Sequence, residues 1–177
     1  YTVGTWVGEI GRLMTTRNFI VTDAGGQRIA AASTFWAMID MKTRQPLDLR
    51  DNVDYSQALL AIPCPIDKPA RIGRIEGVPC DSRRVRYSDI DFNQHTNSMK
   101  YIQWMLDALP LEKLTGCRMK RLDVNFVHET RYGQQLAVCC EHGTDRDRFE
   151  IRLEDGTTAC KAAIRWETSD EHSNQTE

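Results

Sequence analysis

The sequence lacks any apolar run approaching the ~20 residues that a membrane-spanning helix requires. The stretch from Ala58 to Ile62 is cut off by Pro63 and Pro65, so no membrane span is expected. Charge of either sign is not in excess: 23 Lys and Arg against 25 Asp and Glu leave a net −2. That balance gives no global reason to expect nucleic acid or an anionic membrane as partner. The six cysteines, at 64, 80, 117, 139, 140 and 160, lack C-x-x-C spacing. They are too sparse for a small secreted scaffold and read as reduced thiols of a cytosolic protein. There is no G-x-S-x-G nucleophile elbow and no glycine-rich phosphate loop. The chain opens at Tyr1 inside a strand-like pattern, with no visible targeting signal.

What is present is an ordinary globular composition. With 177 residues and 41% hydrophobic content, the chain suits one domain or a compact pair of small ones. Strand-like runs cover 3–10, 19–22 and 28–41, and Gly25 and Gly26 supply a hairpin signal between the last two. Residues 60 to 82 hold Pro63, Pro65, Pro69 and Pro79 and keep no clean period, which reads as a linker. Beyond it come a strand at 83–87, a helix over about 96–109 stopped by Pro110, and strands near 118–128, 134–142, 146–153 and 157–166. Leu122, Val124 and Phe126 alternate with polar residues, as do Phe149, Ile151 and Leu153, so each strand is expected to bury one face. One long helix followed by an antiparallel meander implies an α+β fold with a sheet wrapped around the helix.

The chemistry concentrates in residues 88 to 104. Asp89, Asp91, Asn93, His95 and Asn97 recur at every second position, just ahead of a helix-period apolar set at Met99, Ile102, Met105, Leu106 and Leu109. A calcium loop starting at Asp89 would need glycine sixth and glutamate twelfth, where Gln94 and Lys100 stand. His95, His128, His142 and His172 share no zinc spacing. Acid-base work remains: an imidazole that titrates near neutrality, a carboxylate to orient it, an amide for an oxyanion, and a helix N-terminus to polarise a carbonyl. Asp and Asn ahead of a helix also serve as plain caps, and spacing alone does not separate the two readings.

The block from Tyr87 to Leu106 resembles the signature of acyl-ACP thioesterases, double hotdog enzymes of plants and bacteria. The segments from Thr15 to Asp23 and from Ala32 to Leu49 are similar to the first hotdog repeat of that family. The resemblance implies a tandem double hotdog: a partial, N-terminally truncated first repeat over 1–59, a linker over 60–82, a second repeat carrying the motif over 83–167, and a frayed polar tail over 168–177. It implies hydrolysis of acyl-ACP to free fatty acid and holo-ACP, with no cofactor and no metal, in a bacterial cytoplasm. The family's D-x-N-x-H motif falls on Asp91, Asn93 and His95, and its later catalytic glutamate on Glu129. Some plant members place a cysteine directly after that glutamate. Thr130 stands there in this chain, which favours attack by water. Family members also carry a helix and strand ahead of the segment that begins at Tyr1, so the natural protein is expected to be longer.

Acyl carrier proteins are acidic, so the implied partner calls for local positive charge. Candidates are Arg83, Arg84 and Arg86, then Arg118, Lys120 and Arg121, and Arg131; each equally reads as part of a solvated charged face. Arg86, Arg121 and Arg131, together with Trp104, form the expected substrate-binding set. Trp36, Met38, Trp104, Met105 and Phe126 are the choices for an acyl tunnel, although core packing is the default for such residues. An acyl-CoA thioesterase and a non-catalytic acyl-binding hotdog stand as alternatives, and a homodimer is left open.

Overall fold

In the computed structural model, residues 1–52, 54 and 62–167 are described. The chain divides into two compact units, Tyr1–Pro69 and Ala70–Glu177. The expected tail at 168–177 and most of the Ala58 to Ile62 run lie outside the described residues.

The first unit is an antiparallel sheet of β1 (Thr2–Ile10), β2 (Thr15–Thr22) and β3 (Arg28–Trp36) in that order, followed by the short helix α1 (Leu49–Asn52). The expected hairpin turn is present: Asp23 Oδ1 accepts the N–H groups of Gly25 and Gln27, and Gly26 adopts φ 82°. Two strands differ from expectation. β2 starts at Thr15 because Thr15 to Asn18 pair with β1, a tertiary contact without local signature, and β3 ends at Trp36, beyond which the chain loops to an Ile39–Pro46 bridge.

The second unit is a five-stranded antiparallel sheet of order β4-β6-β7-β8-β5, built from β4 (Val78–Arg84), β5 (Arg118–Phe126), β6 (Gln135–Glu141), β7 (Arg146–Leu153) and β8 (Thr158–Glu167). Against one face packs α2 (Ser98–Asp107), with Tyr101, Trp104 and Met105 meeting Leu136, Val138, Phe149, Ile151, Cys160 and Ile164. The expected apolar stripe holds at Met105, Leu106 and Leu109, which pack in the core, but not at its start. Met99 is exposed, whereas Tyr101 and Trp104, amphipathic residues that the apolar count passed over, form the buried face. Pro110 ends α2 as expected but also opens an unexpected helix, α3 (Leu111–Gly116). The Lys113 ammonium of α3 reaches the fully buried Asp147 at 2.7 Å. Burial pushes that carboxyl up, but bonds from Lys113, Trp166 and His142 outweigh it and hold it below the usual carboxylate range.

Two expectations fail on the opposite face. Residues 78–82, read as linker, are the edge strand β4, which tolerates Pro79 because an edge need not offer every N–H. Residues 70–76 cross the outer face of the sheet as a strap. They are held by strand side chains instead of a backbone ladder: Asp123 Oδ1 and Asn125 Oδ1 accept from the N–H groups of Ala70 and Ile72, while Lys161, Arg148 and Arg152 donate to the carbonyls of Gly73, Arg74 and Ile75. At Gly77 a Cβ would lie 2.6 Å from the Cys140 backbone, so only glycine passes there. The strap seats Ile72 and Ile75 on Ala163, and β6, β7 and β8 are consequently buried on both faces, not one. A third correction concerns the thiols: Cys80, the extra residue of the bulge between Pro79 and Asp81, is joined to Cys140 as a disulfide 60 residues away.

Ile75 is fully buried, and truncating such a side chain costs about 2–5 kcal/mol. Ile75→Ala is expected to lower the free energy of unfolding of this unit by that amount in chemical denaturation. A loss under half a kilocalorie would mean that the strap is not part of the packed structure.

Candidate active site

The loop from Asp91 to His95 is closed by one carboxylate. Asp91 Oδ1 accepts the N–H groups of Asn93, at 2.9 Å, and His95, at 3.2 Å, while the Asp91 N–H donates to His95 O at 2.9 Å. The reversal forces Gln94 to φ 64°, the left-handed region that side chains other than glycine enter at a cost. Ile90 and Thr96 then pair across the base of the loop, and Asn97 caps α2 by accepting from the Met99 N–H. Asp91 thus holds the main chain of His95. Asp89 and Asn97 serve structure. Asp89 accepts from the Arg86 N–H and faces Lys100 at 3.7 Å, and its carbonyl takes the Asn97 N–H.

Glu129 arrives from the segment between β5 and β6, 34 residues beyond His95 in the chain. Its Oε2 lies 3.2 Å from His95 Nε2. The imidazole is 21% exposed and the carboxylate 49%, so the pair is open to solvent on one side and anchored on the other. That geometry suits two groups sharing a water: one accepts its proton, the other orients it. Asn93 has an exposed side chain, available to donate to an oxygen in the same region. The N–H groups of Asn97 and Met99 are committed to Asp89 O and Asn97 Oδ1, which removes much of the expected contribution of the helix N-terminus to an oxyanion.

Thr130, directly after Glu129, is fully buried, and its hydroxyl meets Thr96 Oγ1 at 2.7 Å and the Tyr101 hydroxyl at 2.8 Å. It is no nucleophile. The nearest alternative in this region of the core, Cys160, has its thiol pushed up to about 12 by burial, so it stays protonated and inert.

The remaining expected residues divide. Trp104 lies in the core, 5% exposed and edge-on to Tyr101 with ring centroids 5.7 Å apart; it packs the helix and does not join the polar cluster. Arg121 points to the strap-covered face and is bonded twice to Asp123, so it is not among the cations near His95. Arg86 and Arg131 are exposed. They flank the place where the end of β4 meets the 131–134 turn, joined by Val85 N–H to Gln134 O and Gly133 N–H to Val85 O, each at 2.9 Å. Thr96, Thr130 and Tyr101 were missed, since hydroxyls in an apolar or capping context carry no motif.

With this geometry in place, comparison with known proteins is specific. The family model of the acyl-ACP thioesterase C-terminal domain matches residues 76–168, and that of the N-terminal domain matches residues 1–56. The chain belongs to the acyl-ACP thioesterase family. A crystal structure of an acyl-ACP thioesterase from Bacteroides thetaiotaomicron is 34% identical, with a TM-score of 0.87 over 93% of this chain and 68% of that one. The 12:0-ACP thioesterase of Umbellularia californica shares the fold at 20% identity, TM-score 0.79, over 93% of this chain and 66% of its own. A chloroplastic acyl-[acyl-carrier-protein] hydrolase of Cuphea viscosissima is 27% identical over 93% of this chain and 42% of its own length. The chain thus spans less than half of such plant relatives. The fold is the α+β hotdog of these neighbours.

The loop geometry separates two roles for Asp91. If Oδ1 serves as a backbone acceptor, Asp91→Asn keeps most activity, whereas Asp91→Ala opens the loop and lowers stability by about 1–3 kcal/mol, the cost of orphaned bonds to a charged acceptor. Turnover and thermal unfolding of both variants check this; an Asn variant as inactive as the Ala variant would instead assign the negative charge a direct part.

Proposed function

We propose that this chain carries the catalytic residues of an acyl-ACP thioesterase that releases free fatty acid from acyl carrier protein, with His95 and Glu129 activating the attacking water. The observation that carries the reading is the 3.2 Å approach of His95 Nε2 to Glu129 Oε2 in a member of this family. Water held by the pair loses a proton to it and attacks the thioester carbonyl carbon. The Asn93 amide donates to the oxygen that becomes negative, and Asp91 keeps the loop closed around both residues. The tetrahedral intermediate then collapses, the carbon–sulfur bond breaks, and the proton taken from water passes to the departing thiolate. Thr130 in place of a cysteine supports attack by water directly, without an acyl-enzyme.

Acyl carrier protein as partner is supported by the exposed cations Arg84, Arg86 and Arg131 beside the loop that bears Glu129. Arg84 itself donates to Gly133 O at 3.3 Å, so this rim is fixed to the same turn. Steering by such a rim is screened by salt, with a Debye length of about 10 Å at 0.1 M.

The test is release of free fatty acid from a chain-length series of acyl-ACPs, run beside the matching acyl-CoAs. General-base loss costs about 10²–10⁴ in rate, so His95→Ala and Glu129→Ala should each fall by that factor; near wild-type turnover in either would sink its role. Faster hydrolysis of acyl-CoA than of acyl-ACP would replace the carrier assignment. KM for acyl-ACP is expected to rise with ionic strength, and a KM indifferent to salt would discard the cationic rim as a docking element.

A further inference from the structure

Three hydroxyls lie buried where the two halves of the candidate site meet. Thr96 immediately follows His95 and Thr130 immediately follows Glu129, and these two threonines are bonded to each other twice, Thr96 N–H to Thr130 O at 2.8 Å and hydroxyl to hydroxyl at 2.7 Å. Tyr101, one turn into α2, completes the cluster: its oxygen accepts the Thr130 N–H at 3.2 Å and its hydroxyl meets Thr130 Oγ1 at 2.8 Å. Thr130 is 0%, Tyr101 4% and Thr96 6% exposed. Among the described residues no buried side-chain polar atom is left without a partner.

These bonds join the Glu129 segment to the His95 loop alongside the His95–Glu129 contact itself. The segment from Val127 to Arg131 has no strand ladder of its own; Val127 and His128 N–H groups both go to Ala159 O at its start, and at its far end the Arg131 N–H goes to Gln134 Oε1 in the turn that Val85 holds by two bonds. Between those two ends, Thr130 is the residue beside Glu129 whose main chain and side chain are both bonded into the core. A buried hydroxyl in low dielectric makes a strong, directional bond and a costly vacancy when deleted, so the cluster has two properties that register requires. Either hydroxyl of each pair can serve as the donor, and the Tyr101 oxygen in addition accepts the Thr130 N–H.

We propose that Thr130, with Tyr101 and Thr96, is a positioning residue for catalysis: its buried hydroxyl fixes the Glu129 carboxylate against His95 and does not itself touch the substrate. This rests on the reading of His95 and Glu129 as the water-activating pair. It also gives the threonine after the glutamate a role of its own. The side chain that follows Glu129 points into the core and sets the distance at which the glutamate works.

The experiment is steady-state hydrolysis of acyl-ACP by the full chain as its gene encodes it, for Thr130→Val, Thr130→Ser, Tyr101→Phe, Glu129→Gln and the double variant Thr130→Val/Glu129→Gln. Misplacing a catalytic group by an ångström costs on the order of 10²-fold, so Thr130→Val and Tyr101→Phe are expected to lower kcat by about ten- to a hundredfold with KM unchanged. Thr130→Ser, which restores the hydroxyl, should restore most of the turnover. Because Thr130 acts through Glu129, the double variant should be no slower than Glu129→Gln alone, the mark of two residues working as one. A merely structural threonine would give the opposite, with the two losses multiplying, and that result overturns the proposal. So does a Thr130→Val enzyme at full rate beside a crippled Glu129→Gln. If Glu129→Gln itself turns over at the wild-type rate, the water-activating assignment fails first and this inference falls with it. Should Thr130→Val not fold, Tyr101→Phe, which keeps the ring and removes only the hydroxyl, decides by the same criteria.

Discussion

The second unit depends on the burial of one face of α2 in the curl of its sheet. Tyr101, Trp104 and Met105 sink among Leu136, Val138, Phe149, Ile151 and Ile164, all of them at most 5% exposed. Each such side chain is worth about 1.5–3 kcal/mol removed from water, so the helix has one rotation and one depth available to it. Its N-terminus is thereby fixed, and the Asp91–His95 loop hangs from that end. Tyr101 belongs to both the packing and the polar cluster: its ring is core and its hydroxyl is bonded to the Glu129 segment at Thr130.

The polar groups in this region do unlike jobs despite their regular spacing in the chain. Asp91 and Asp89 spend their oxygens on main-chain N–H groups, and Asn97 caps the helix. Asn93 is exposed, and the carboxylate that meets the His95 imidazole comes from elsewhere. Spacing every second residue would be natural for an extended segment, but this is a loop and a helix start, so the pattern does not carry a common face.

Local chemistry was readable in the sequence and long-range chemistry was not. The D-x-N-x-H series marked the loop and the helix after it, because capping and apolar periodicity act over a few residues. Glu129 came only from resemblance, since no local rule couples it to His95. The apolar stripe of α2 was misjudged by counting Met99 and Ile102 and overlooking Tyr101 and Trp104, whose polar atoms disguise large buried surfaces. The alternation of β7 showed one buried face; the second, with Glu150 in it, is covered by a strap whose residues keep no period because their partners are side chains on several different strands. Cys80 and Cys140 met for a similar reason, one bulge deciding where a thiol points. Arg121 stood among the docking candidates because its partner, Asp123, sits two residues away on the same face, where a strand brings neighbours together that a charge tally treats as independent.

The strap has a consequence for how this unit can change length. Hairpin turns such as that at Asp155 and Gly156 join strands whose pairing is already fixed by their own ladders, so an extra residue there bulges outward and disturbs little. Residues 70–76 have no ladder, and the N–H groups of Ala70 and Ile72 and the carbonyls of Gly73, Arg74 and Ile75 are each met by a particular strand side chain, Asp123 and Asn125 first, then Lys161, Arg148 and Arg152. Dropping or adding one residue would shift every later group off its anchor and drive a side chain against Cys140 where Gly77 now passes. This stretch, which looks in the sequence like a spacer of arbitrary length, is therefore among the segments least able to tolerate insertion or deletion.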